Sequence, residues 1–406
     1  MARVLAYTSP ALGHMLPISA LLCELSRRGH DVHLRTLSTA VEVGAGFGLR
    51  TDRIDPRIAA ITMDDWKGHT RSSALKQGVS AFARRAAYEP ADLRDAMQRF
   101  RPDFLLIDVN CWGALSAAET AGLPWASFAP YTPPLRAAGL PPFGPGLAPM
   151  SGIAGRVRDA ALSMIVTRSI ETVLLPAINA GRKTLGLNAL GSVDEFLRRA
   201  PLMLIASGSP FQYPGIQWGD SIHLIGPCIQ EAGPATPPDW LVAIDRPIVL
   251  VTTSSEKQAD DTLVTAAVEA LSGEGVHVIA TLPAGHPESD SPHDHVTLRR
   301  FVPHTMVLEK AVCAITHGGM GATQKALAYG VPVCVVPFGR DQFEVARRVE
   351  VARCGTRLPG SKLSAARLHA KVTEATGMTA GAQRVAEGFA ATGGVAHGAD
   401  LIEATL

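Results

Sequence analysis

Aromatic side chains are scarce in this 406-residue chain, at 5% of positions. Charge of either sign is in no surplus: 38 Lys and Arg against 37 Asp and Glu leave a formal net charge of +1. A protein that grips a phosphate backbone or an anionic bilayer needs a basic stripe. Neither nucleic acid nor membrane lipid is therefore an expected partner. Uninterrupted apolar runs are also missing, since the best candidate, ALSMIVTRSIETVLLPAI, is broken by Arg168 and Glu171. Nor is there a CxxC pair: Cys23, Cys111, Cys228, Cys313, Cys334 and Cys354 are scattered. Three of them (23, 313 and 334) lie in apolar runs, where cysteine acts as a small hydrophobe. No metal site follows, and a reducing cytoplasm fits. The opening MARVLAYTSP has only a short apolar stretch before Gly13 and His14. It reads as a first strand and not as a signal peptide.

What is present is length and alternation. A chain of this size exceeds one ordinary core, so two domains of roughly 200 residues are expected. Val4 to Tyr7 is a buried-strand run, and a helix is expected from Pro17, with Ile18, Leu21, Leu22 and Leu25 on one face. VHLRTL follows as a strand, completing a βαβ unit and implying a parallel sheet covered by helices. FLLIDV (104–109), PWASFAP, PLMLIASG and IHLIGPC continue the series, interrupted by a Pro- and Gly-rich loop from Pro133 to Met150. A loop of that length inside a compact domain tends to be functional or disordered. EAGPATPPDWLVAIDRP reads as a linker, after which PIVLVTTS, VHVIATLP, VTLRRFVP, CAITHGG and VCVVPF form a second series. The expected fold is α/β, two Rossmann-like doubly wound halves. The layout is residues 1–227, a linker at 228–246, and a second domain at 247–385, followed by a last helix at 386–406. Two such sheets leave a cleft lined by the carboxyl ends of their strands.

Two places on that scaffold carry chemistry. His317, Gly318, Gly319 and Gly321 come directly after a strand and open a helix, with the Thr323 hydroxyl in its first turn. Glycines permit close approach, and a helix N-terminus offers unpaired N–H groups and a positive dipole end. That suits a diphosphate, with a plain tight turn as the alternative. The motif is neither Walker A nor GxGxxG. In the first half, His14 follows the first strand and precedes a helix, whose dipole is expected to lower its pKa and favour neutral imidazole. Asp108 ends FLLIDV, where a buried carboxylate needs a partner.

THGGMGATQKALAYGVPVCVVPFGRDQ, from Thr316 to Gln342, resembles the donor-binding signature of the family 1 glycosyltransferases with the GT-B fold. That group includes the antibiotic- and natural-product-tailoring, macrolide-type enzymes. GHMLP near the start and RFVPH upstream of the signature match at similar relative positions, so the resemblance spans nearly the whole chain. It implies an inverting, metal-independent transfer of a sugar from a nucleoside diphosphate to a hydroxyl, with no cofactor beyond that co-substrate. His14 would be the general base and Asp108 its partner. Phe301 would stack on the nucleobase, flanked by Val302 and His304. His317 and the segment Gly318, Gly319, Gly321, Ala322 and Thr323 would hold the diphosphate. Asp341 and Gln342 would bond the sugar hydroxyls, and Ser254 and Ser255 would face donor and acceptor. Trp66, Trp112, Phe128, Tyr131, Phe143 and Met150 lie in or near segments that build acceptor pockets in the family. The acceptor is then expected to be bulky and apolar, such as a polyketide or macrolide, with the 133–150 loop as a lid. The last helix is expected to cross back onto the first domain.

Lys325 departs from the pattern. UDP-sugar members commonly carry Glu eight residues after the signature histidine, accepting from both ribose hydroxyls, and lysine has no acceptor. A deoxyribose needs less of that grip, so a dTDP-sugar is expected over a UDP-sugar. A lysine on a solvated helix face is the alternative. The pairs Asp64-Asp65 and Asp260-Asp261 are adjacent and not the spaced DxD of metal-dependent transferases. His286, His293 and His295 share a polar loop, with weak metal binding the less expected reading. Three rivals stand beside the transferase. A nicotinamide oxidoreductase is disfavoured by the single glycine of TSPALGH. An epimerase on the same fold would need carboxylates around the anomeric site. A non-catalytic auxiliary protein would have less reason to keep His14, Asp108, His317 and Asp341-Gln342. Monomer and homodimer both remain open.

Overall fold

The computed structural model describes residues 1–233, 236–256, 258, 260, 262–284 and 294–406. Each half of the chain is built on a parallel sheet. The first sheet comprises β1 (Arg3–Tyr7), β2 (Asp31–Thr36), β3 (Arg50–Arg53), β4 (Phe104–Asp108), β5 (Trp125–Ala129), β6 (Leu202–Ile205) and β7 (Ile222–Leu224). Its order is β3-β2-β1-β4-β5-β6-β7. The second comprises β8 (Ile248–Thr252), β9 (His277–Thr281), β10 (Val296–Arg299), β11 (Ala311–Thr316), β12 (Val333–Val335) and β13 (Gly355–Arg357), in the order β10-β9-β8-β11-β12-β13. Every pairing is parallel. β4, β5 and β8 are buried at every residue, because helices cover both faces. In each sheet the order in which strands are added reverses at one point, between β1 and β4 in the first and between β8 and β11 in the second. The crevice beyond such a switch point is where open α/β sheets bind ligands.

Several elements differ from the sequence reading. The first helix is Leu12–Arg27, one turn earlier than the Pro17 start, with Pro17 inside it. A proline so near the N-terminus forfeits only one early hydrogen bond, so the helix tolerates it. Gly152–Thr184 forms a single helix of 33 residues. It is long and apolar enough in one 18-residue window to cross a membrane. Here Glu171 on that helix receives a hydrogen bond from Arg136 at 2.5 Å, and Val166, Ile170, Val173 and Leu174 wall a cavity. The edge strands β3 and β13 carry no apolar run, and periodicity alone gave them no signal.

The halves are joined by more than the linker. The single last helix expected at 386–406 is instead the end of Thr379–Ala391 and a separate helix Gly394–Glu403, parted at Gly393 with φ +90°. The latter packs on the first helix: Arg28 donates to Asp400 at 2.6 Å and to Glu403 at 2.7 Å. Ala399 and Ile402 sit in one buried cluster with Leu21, Leu25, Phe104 and Ile225. Across the gap, Arg340 makes a two-pronged contact with Asp65, at 2.7 and 2.8 Å.

Candidate active site

One cavity of about 1190 Å³ lies between the two sheets and is lined from both. On the first side, His14 stands in the first turn of its helix and Asp108 ends β4. Because β1 and β4 are neighbours, the two meet: His14 Nδ1 donates to Asp108 Oδ2 at 2.7 Å. Asp108 is 1% exposed, and its second oxygen accepts the Asn110 N–H at 2.8 Å. Ser9 supplies longer bonds, from N at 3.4 Å and Oγ at 3.3 Å. This arrangement fixes the tautomer and leaves Nε2 as the proton acceptor. Burial opposes charging His14, but Asp108, followed by Glu256 and Asp341, outweighs it and raises the pKa above the ordinary value. The depression expected from the helix dipole is thus corrected. The Asp108 carboxylate in direct contact, with Glu256 and Asp341 adding to it, exceeds the partial charge of one helix end.

On the second side, β11 runs into the turn at His317. Gly318 adopts φ +95°, the left-handed region that glycine enters without strain. A Cβ on Gly319 would lie 2.5 Å from the His317 ring nitrogen Nε2, so the imidazole can fold over the turn only because that residue is glycine. His317 Nδ1 donates to the Thr252 carbonyl at 3.4 Å, and burial, outweighing Asp260, lowers its pKa. The helix Met320–Ala328 begins here. Its first intrahelical donor is Thr323, bonded to the Gly319 carbonyl at 3.1 Å, so the amides of Met320, Gly321 and Ala322 precede the ladder. Gly319, Met320, Gly321 and Ala322 line the cavity.

Ser254 and Ser255 also line it, the former fixed by its N–H donating to Asp260 Oδ2 at 2.6 Å. Asp341 holds the N-cap position of the helix Gln342–Val351 but makes no side-chain capping bond. Its carboxylate is left to the cavity, and burial raises its pKa. Phe301 is 50% exposed on the cavity wall, so its ring is open to the cavity. Val302 is buried behind it. His304 starts a short helix, and Thr281 Oγ1 lies 3.0 Å from its Nε2. Burial first, then Lys325, pushes its pKa down to about 4.

The sequence also implies places that the structure assigns to other tasks. Phe128 is fully buried within β5 and belongs to the core, since its strand position points it into the layer beneath the sheet. Met150 is 42% exposed but not on the cavity; its carbonyl lies under Gly155 at the start of the long helix. The Thr323 hydroxyl is 3.0 Å from that of Thr316, tying helix to strand, and Thr316 accepts the Gly318 N–H at 3.1 Å. Neither Gly318 nor Thr323 reaches the cavity. Gln342 Oε1 accepts the N–H groups of Phe338 and Gly339 at 2.7 and 2.9 Å, so its amide braces the loop before it. Lys325 does not decorate a solvated face. It lines the cavity in an ion pair with Glu231, whose carboxylate also accepts from His304 N and Thr305 N at 3.0 and 2.9 Å.

Trp66, Trp112, Tyr131 and Phe143 do line the cavity, joined by Phe82, Phe343 and the face of the long helix. That face is an i, i+4, i+7 stripe at 166, 170 and 173, which the sequence reading missed. The 133–150 loop reaches over the gap: Gly144 N and Gly146 N donate to Glu344 Oε1 at 2.8 and 2.9 Å. Asn110, Glu231, Glu256 and Arg340 gave no signal in the sequence, because each is a loop residue whose partner comes from another element. His286, His293 and Asp261 lie outside the described residues.

Comparison with known proteins bears on this geometry. The C-terminal domain model of the erythromycin biosynthesis protein CIII-like family matches residues 263–398. The chain is also 30% identical to 4'-demethylrebeccamycin synthase of Lentzea aerocolonigenes, over 99% of both proteins. It belongs to the family 1 glycosyltransferases, of the natural-product-tailoring type. Among solved structures, the glycotransferase of kitacinnamycin superposes with a TM-score of 0.77 at 22% identity, covering 100% of this chain and 99% of that one. Glycosyltransferase VinC in complex with dTDP gives 0.68 at 21%, covering 99% of each. This transferase accordingly has the GT-B fold. Its cavity is the space between the two GT-B sheets, with His14 on one wall and His317 on the other.

Proposed function

We propose that the chain is an inverting transferase that moves a sugar, carried as a dTDP-deoxysugar, onto a hydroxyl of a bulky apolar acceptor, without a metal. The observation that carries this reading is the His14–Asp108 pair at 2.7 Å, in the same cavity as the His317 turn and Asp341. The acceptor O–H gives its proton to His14 Nε2, and Asp108 stabilises the imidazolium. The oxygen attacks the anomeric carbon from the face opposite the diphosphate, and the configuration inverts. The nucleoside diphosphate leaves toward His317 and the amides at 320–322, where donors and a helix end meet its charge. Asp341 bonds the sugar, Phe301 stacks on the base, and Ser254 and Ser255 face the reacting centre. Trp66, Trp112, Tyr131 and Phe143 wall the acceptor side. All six cysteines are free thiols, which suits a reducing cytoplasm.

The dTDP preference is supported by Lys325. Its ammonium and the Glu231 carboxylate satisfy one another, so nothing at position 325 accepts a hydrogen bond from a 2'-hydroxyl. The VinC structure in complex with dTDP agrees with this choice. Calorimetric binding of dTDP and UDP is the test: dTDP should bind several-fold tighter. Tighter binding of UDP would overturn the donor assignment while leaving the transferase reading intact.

A further inference from the structure

Asn110 lies two residues beyond Asp108, in the turn leading to the helix Trp112–Ala118. Its backbone and both ends of its side chain are engaged around the general base. Its N–H donates to Asp108 Oδ1 at 2.8 Å. Its side-chain Nδ2 lies 3.3 Å from His14 Nε2, and its Oδ1 accepts the Tyr131 hydroxyl at 2.7 Å. The Tyr131 ring stands edge-on to the imidazole, 5.8 Å away. A carboxamide is a donor at one end and an acceptor at the other. With Oδ1 occupied by the phenol, the NH2 end faces His14, and a donor facing Nε2 requires a lone pair there. Asn110 therefore sits over the atom that takes the acceptor's proton.

We propose that Asn110, aimed by Tyr131, positions the acceptor hydroxyl. Its amide N–H holds the Nε2 lone pair in the free enzyme and transfers to the hydroxyl oxygen when that hydroxyl donates to Nε2. The proposal rests on the transferase reading above. A hydroxyl oxygen carries two lone pairs: the amide takes one and leaves the other to attack. In the transfer the O–H bond breaks and its proton goes to Nε2. The bond from oxygen to the anomeric carbon forms. The bond from that carbon to the diphosphate oxygen breaks, and its electron pair leaves with the nucleoside diphosphate. The same N–H opposes the carboxylates that favour a charged imidazole. The groups acting on His14 are Asp108 from β4, Glu256 beyond β8 and Asp341 before the helix Gln342–Val351, together with Tyr131 beyond β5.

The test compares Asn110→Ala, Asn110→Asp and Tyr131→Phe with the unaltered protein. The His14 imidazole is titrated by NMR, and transfer is assayed from the deoxysugar donor dTDP-rhamnose to a polycyclic phenol. Asn110→Ala and Tyr131→Phe should move the His14 titration upward by roughly half a unit to one unit, as one hydrogen bond to the neutral form is lost. Asn110→Asp, which puts an acceptor over Nε2, should move it further. Asn110→Ala should lower kcat/KM for the phenol about ten- to a hundredfold with dTDP affinity unchanged. A His14 titration that stays in place in both the alanine and the aspartate variants would overturn the proposal, as would undiminished kcat/KM in Asn110→Ala. A shifted titration in a protein that turns over no nucleotide sugar would support the hold of Asn110 on Nε2 and count against the transferase assignment instead.

Discussion

The two walls of the cleft each place a histidine just beyond a central strand, and their surroundings push the two imidazoles in opposite directions. His14 follows β1 and His317 follows β11; both are largely buried, and both stand at the start of a helix. Burial alone would lower both pKa values. At His14 the carboxylates of Asp108, Glu256 and Asp341 reverse that effect. At His317 the one nearby carboxylate among the described residues, Asp260 at 4.0 Å, does not. What an imidazole does at a strand end is decided by the count of charged neighbours rather than by the helix that follows. One imidazole is held toward its charged form and the other toward its neutral form.

Removing either histidine gives the largest contrast. His14→Ala should reduce transfer by roughly 10²–10⁴-fold, the usual contribution of a general base, while nucleotide binding measured by calorimetry persists. Turnover like that of the unaltered protein would refute the assigned base. Asp108→Asn should cost less, about a hundredfold in kcat, and should shift the pH profile in a defined direction. His14 works as a base only when deprotonated, and its pKa is raised, so the acid limb of kcat/KM should lie above the ordinary histidine value of about 6.5. Without Asp108 the limb should move to lower pH, and the variant's deficit should shrink as the medium becomes more acid. An unmoved limb would separate Asp108 from the titration of His14.

On the opposite wall the sign is reversed. The Nδ1–H of His317 is directed to Thr252, so a bound diphosphate favours protonation at Nε2. Nucleotide binding should then take up a proton and strengthen as pH falls from about 8 to 6, which calorimetry in buffers of different ionisation enthalpy measures. His317→Ala should weaken binding about tenfold and flatten that dependence. A pH-independent affinity in the unaltered protein would make the two walls alike. The smallest effect is expected at the bridge between them. Asp65→Ala or Arg340→Ala should change kcat/KM only a few-fold, of order 1 kcal/mol. The double variant should fall short of the sum, because both remove the same contact.

Much of this architecture was legible because parallel strands buried on both faces leave apolar runs, and strand–glycine–helix turns leave punctuation. His14, Asp108 and His317 stood out for that reason, each at the end of such a run or at the start of the helix after it, whereas Asp341 was singled out only through the resemblance of the 316–342 signature. The misses are of two kinds. Phe128 and Thr323 lie in readable segments, but only packing determines which way a side chain on an alternating strand or a first turn points. Asn110, Glu231 and Glu256 belong to the cavity wall through partners on other elements, a relation that no local pattern encodes. The helix Gly152–Thr184 was hidden because its apolar residues spread around the barrel of the helix, and one stripe of them faces the cavity while Ile153, Val157 and Met164 are exposed.

The return of the last helix onto the first has a consequence for synthesis. A ribosome makes β1 and its helix well before Ala399 and Ile402, which close that layer and follow the whole second sheet in the chain. The early half must wait with an open apolar seam while the later half is made and folded around its own sheet. Domains usually mature in the order in which they are translated; here completion of the first is held back until the helix Gly394–Glu403, beyond the second sheet, has been made.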